Sequence, residues 1–89
     1  MEHYKIKVRG VGFTNGIAPR YEITIYLGDK FIASSNFGRP FPNVDLDKLV
    51  RFVLSDFGME QVGRLCPNHA EGHMEGVAIR LNSKRPITA

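Results

Sequence analysis

The sequence predicts an α+β fold: an antiparallel sheet of about four strands with one amphipathic helix, Asp45–Phe57, packed on one face. Three observations carry this. Apolar and polar residues alternate with period two in three stretches, which is the pattern of half-buried strands. Gly28-Asp29 separates two such stretches by a two-residue turn. Between them and the last strand, apolar residues recur at helical spacing behind an aspartate suited to cap a helix.

Tyr4, Ile6 and Val8 alternate with Lys5, Lys7 and Arg9, so the first strand turns three cations to solvent. It continues through Val11 and Phe13, where Gly10 and Gly12 signal a bulge or a close backbone approach. Asn15-Gly16 marks a turn, and Pro19 argues against regular strand before Arg20. Tyr21, Ile23, Ile25 and Leu27 form the second strand. A type II′ turn at Gly28-Asp29 then pairs Tyr26 with Phe31 and Ile25 with Ile32. Residues 34–43 read as a loop, since they hold two prolines and a glycine.

In the helix Asp45 is the expected N-cap and Val44 with Leu49 a hydrophobic staple. The apolar stripe is Leu46, Leu49, Val50, Val53 and Phe57, with Phe52 off its centre and Gly58 as the left-handed residue that ends it. Val50, Val53 and Phe57 are the expected core contacts. Gln61–Leu65 reads as a short strand, Cys66–Glu75 as a polar loop, and Val77, Ile79 and Leu81 as the final strand.

A chain of 89 residues with 43% hydrophobic and 24% charged residues has the composition of one globular domain, here residues 1–89, with 83–89 expected as a flexible basic tail. No apolar run approaches the roughly 18 residues of a membrane span. The first residues carry no signal-like apolar segment and Cys66 is the single cysteine, so a cytoplasmic location is expected. The net charge of +3 is unevenly spread. The sheet segments are basic, whereas residues 43–75 are acidic.

No complete catalytic or cofactor motif is present, and a non-enzymatic protein without cofactor is expected. Cys66, His69 and His73 have spacing reminiscent of a zinc site, with Glu71 or Glu75 as further ligands. A closed structural site normally has a second thiolate, so no metal is expected. Lys5, Lys7 and Arg9, joined by Arg80 and the Lys84-Arg85 tail, form a basic sheet face; with Tyr26 beside them it suits phosphates and stacked bases. The stretch Phe37-Gly38-Arg39-Pro40-Phe41-Pro42 carries the aromatic and arginine residues that anchor protein interfaces, with Phe37, Arg39 and Phe41 as candidate contacts.

Arg9-Gly10-Val11-Gly12-Phe13 resembles the Gly-Val-Gly-Phe loop of acylphosphatases, but Thr14 stands where that family has its phosphate-binding arginine. The same residues resemble the start of the RNA-recognition-motif octamer, with Val11 in place of a stacking aromatic and no strand–helix–strand before it. In size and element order, with Ile23–Phe31 as hairpin and Asp45–Gly58 as helix, the chain resembles compact phage and mobile-element inhibitors of the anti-CRISPR type. That resemblance implies a protein-binding inhibitor whose partner is a protein or ribonucleoprotein complex. A small nucleic-acid binder is the alternative, and a metal-binding protein the third. No membrane partner is expected, and the oligomeric state is open.

Overall fold

Alternation along five strands sorts the side chains onto two faces of one sheet. In the computed structural model, which describes residues 3–14, 18–38 and 45–81, the elements run β1 (His3–Thr14), β2 (Ala18–Leu27), β3 (Lys30–Gly38), α1 (Leu46–Ser55), β4 (Met59–Asn68) and β5 (His73–Arg80). The strands are antiparallel in the order β3-β2-β1-β5-β4, so β1 is central and α1 crosses between the edge strands β3 and β4. The α+β class and the single helix agree with the sequence reading. The strand count is five rather than four, because residues 59–68 and 73–80 form a complete hairpin.

The covered face holds Tyr4, Ile6 and Val8 of β1, Ile23 and Ile25 of β2 and Ala78 of β5, all buried beneath Val50 and Leu54 of α1. Each large apolar side chain removed from water in this way contributes about 1.5–3 kcal/mol. The helix stripe is centred one residue away from expectation. Val50 and Leu54 are fully buried, whereas Val53 and Phe57 only pack at the margin. Leu46, Val50 and Leu54 follow i, i+4, i+8, which points them at the sheet together. Asp45 caps the helix as expected, its side chain accepting from the Asp47 N–H at 3.0 Å. Gly58 takes the left-handed conformation (φ 69°) just beyond the helix. Phe52 is 69% exposed. The staple residue Val44, the Asn15-Gly16 turn and the 83–89 tail lie outside the described residues.

Four local expectations are corrected. Tyr26 pairs with Phe31 across the Gly28-Asp29 turn as read, but Ile25 pairs with Ala33 because Ile32 is the extra residue of a bulge. Pro19 lies inside β2, opposite Phe13; it falls beyond the last β2–β3 pair, Arg20↔Gly38, where a missing N–H costs the sheet little. Ser34–Gly38 belong to β3 rather than to a loop. Cys66–Glu75 is not a loop either, since only residues 69–72 turn between β4 and β5. The suspected bulge of β1 is present between Gly10 and Gly12.

Strand β4 carries a larger irregularity between Val62 and Cys66, opposite Gly76. Leu65 leans over that glycine, where an added Cβ would meet its Cδ2 at 2.8 Å. The helix holds the irregular segment with two charged residues. Arg51 donates to the Gly63 carbonyl at 2.8 Å. Asp47 Oδ1 accepts from Gln61 Nε2 at 2.7 Å and from the Leu65 N–H at 3.1 Å. Burial alone would raise the Asp47 carboxyl. These hydrogen bonds, with the Arg64 and Arg51 charges, outweigh it and hold the group below its usual value.

Candidate binding face

The other face of the sheet carries no helix among the described residues. Period-two alternation assigns Lys5, Lys7 and Arg9 of β1 to it, as the sequence implies, and cross-strand register sets their neighbours. On one side these are Tyr26, Thr24 and Glu22 of β2; on the other, Val77 and Glu75 of β5. Two of these cations stand against a carboxylate. Arg9 donates to Glu22 at 2.7 Å. Lys7 Nζ lies 3.7 Å from Glu71 and 5.3 Å from the centre of the Tyr26 ring. The Lys5 charge acts on Glu75. Glu60, paired with Ile79, adds a fourth carboxylate further out on the same face.

This overturns the division into a basic sheet and an acidic helix with its loop. Glu71 and Glu75 come from the acidic stretch of sequence, yet the β4–β5 hairpin carries them onto the basic strands. Arg80 also departs from its expected place. It shares parity with Ala78 on the covered side, donates to the Tyr4 hydroxyl at 3.3 Å and lies over the Tyr4 ring.

Apolar groups flank the charged centre. The Tyr26 and Phe31 rings meet edge to face at 6.3 Å, and Phe31 is 57% exposed. On the far side Val62 and Val77 are an exposed cross-strand pair. Beside the Tyr26 ring lies a depression of ≈ 270 Å³ bordered by Lys7, Arg9, Glu22, Thr24, Tyr26, Glu71 and His73.

Of the proline-flanked stretch, only Phe37 and Gly38 are described. Phe37 is half-buried, stacks on Tyr21 at 5.8 Å and packs against the core, so its ring is largely engaged within the fold. Arg39 and Phe41 lie outside the described residues.

The Cys66, His69 and His73 set is not brought together. Cys66 is an exposed strand residue, His69 sits exposed in the turn, and the potential metal-binding group found among the described residues is Glu71, His73 and Glu75. His73 and Glu75 are two apart on β5 and share a face. The hairpin turn delivers Glu71, whose N–H is held by the Asn68 carbonyl at 3.2 Å. His73 Nε2 lies 2.8 Å from Glu75 Oε2 and 3.4 Å from Glu71 Oε1. The same Glu75 oxygen accepts from Asn68 Nδ2 at 3.1 Å. Hydrogen bonds from His73 and Asn68 hold the Glu75 carboxyl below its usual range, against a smaller opposing effect of burial. The signal for this trio was the Glu-x-His-x-Glu alternation at 71–75, which brings groups onto one face only where the segment is extended.

Fold and surface together define a small α+β protein with one sheet face covered by a helix and the other uncovered among the described residues. The chain matches no protein-family model, no curated protein and no solved structure.

Proposed function

We propose that the chain is a small protein-binding module that engages its partner through the uncovered sheet face. The observation that supports this reading is the local balance of charge there. Arg9 is paired with Glu22 and Lys7 with Glu71, and Glu75 stands across from Lys7 on β5. A phosphate backbone is attracted by unmatched cations, and this face offers few. A protein surface with charges of both signs and apolar groups is complementary to it: aromatic and apolar residues supply contact area, and the paired charges set orientation. Inhibition of a protein or ribonucleoprotein complex, of the phage or anti-CRISPR kind, is the form of binding that size and element order suggest, with the cytoplasm as the compartment. No residue in this reading performs catalysis.

Affinity capture from a nuclease-treated lysate of the source organism tests the proposal. The expected result is a protein partner that survives nuclease, is lost with the Tyr26→Ala/Phe31→Ala double variant, and is kept with Phe52→Ala on the helix. Recovery that requires intact nucleic acid would replace the reading with nucleic-acid binding.

A further inference from the structure

The geometry points to a divalent transition-metal site at the turn end of the β4–β5 hairpin, formed by Glu71 Oε1, His73 Nε2 and Glu75 Oε2. The three ligand atoms all lie within 4.8 Å of one another. Around a tetrahedral zinc ion with bond lengths of about 2.0–2.1 Å, ligand atoms are ~3.4 Å apart. The His73–Glu71 separation of 3.4 Å already has that spacing, and the His73–Glu75 separation of 2.8 Å would have to lengthen to reach it.

Two features make this more than a chance gathering of acids. The His73 side chain is only 7% exposed, so one ligand is held in place by its surroundings, while the Glu71 side chain, 55% exposed, leaves a way in from solvent. Glu75 is itself hydrogen-bonded by Asn68, the kind of support that orients ligating carboxylates. Lys7 Nζ stands 3.7 Å from Glu71 and would compete with a bound ion for that carboxylate. A metal ion would displace that ammonium, and the imidazole would offer its Nε2 lone pair by carrying its hydrogen on Nδ1.

One imidazole and two carboxylates suit zinc and neighbouring divalent ions better than a soft thiolate-seeking ion. Three protein ligands leave a fourth position for water or for a partner's side chain, so this is an open, exchangeable site rather than a closed structural one. It lies on the same face as the proposed protein contact, but it does not depend on that contact.

Titration of the chelator-treated full chain with zinc chloride, read by calorimetry and by melting temperature, tests the site without any partner. The expected result is one Zn²⁺ per chain and a higher melting temperature. Glu71→Gln and Glu75→Gln should each weaken binding by more than the roughly tenfold typical of losing a ligand's own hydrogen-bond partner. Lys7→Met, which removes the competing ammonium, should tighten it. Cys66→Ser and His69→Ala should bind as the parent does. The proposal is overturned if neither the parent nor Lys7→Met binds zinc, or if binding survives both glutamate changes and disappears in Cys66→Ser.

Discussion

The two faces of the sheet are built from the same strands but by different rules. On the covered face Ile6 lies between Ile25 and Gly76, and Val8 between Ile23 and Met74, under Val50 and Leu54. On the uncovered face, one residue along in each case, Lys7 lies between Thr24 and Glu75 and Lys5 between Tyr26 and Val77. The covered face is specified by volume and apolarity, so a change there is felt as lost stability. The uncovered face is specified by pairs of opposite charge with partly exposed rings. Such pairs add little to folding, so their arrangement is free to serve recognition.

The sharpest way to break this comparison is at Leu54. It is fully buried, so Leu54→Ala should cost about 2–5 kcal/mol in urea denaturation. Val53→Ala, at the margin of the same helix face, should cost less than half as much. Equal losses at both positions would return the stripe to the centre read from the sequence.

Asp47 offers a smaller effect with a pH signature. Asp47→Ala removes the acceptor used by Gln61 Nε2 and the Leu65 N–H and should cost about 1–3 kcal/mol. The folded carboxyl lies below the usual 3.8. Its contribution is therefore fully present above that value and is lost as pH falls through the folded value. Denaturation curves at descending pH should show parent and variant converging below pH 3.8. Curves that stay parallel to lower pH would mean the carboxylate charge is not what matters.

The smallest effect belongs to the uncovered face. The Arg9–Glu22 contact is short at 2.7 Å, but the arginine side chain is 61% exposed. Arg9→Ala should change stability by no more than about 1 kcal/mol. A larger loss would make the face part of the folding core and weaken its assignment to binding.

The covered face was legible where alternation is strict. Tyr4–Arg9 and Tyr21–Leu27 announce their strands, and Gly28-Asp29 announces the hairpin between them. Legibility fails where a bulge resets the alternation. The irregular Gly63–Leu65 segment hides the continuity of β4, and Pro67 beyond it reads as loop although β4 is an edge strand that tolerates proline. Ser34, Ser35, Asn36 and Gly38 have little intrinsic strand preference, and the segment extends because β2 gives it a partner. In the helix both Val53 and Leu54 satisfy a helical period from Leu46; the crossing over the sheet decides between them. For the candidate site, Lys5, Lys7, Arg9 and Tyr26 follow from strand parity alone. Their acidic neighbours do not, because Glu71 and Glu75 reach β1 only through the β4–β5 hairpin, whose pairing with β1 is non-local.

The central claim is that the uncovered face is the one a partner covers, and the chain contains its own probe. Cys66 is the single cysteine, exposed and paired with Glu75 beside Lys7. The direct measurement is the thiol-labelling rate of Cys66 in the free protein and in the captured complex. It should be set against a Phe52→Cys probe in a Cys66→Ser background on the helix side. The account predicts strong slowing at Cys66 and an unchanged rate at position 52. Unchanged labelling of Cys66 with protection at position 52 would contradict it and place the partner on the helix.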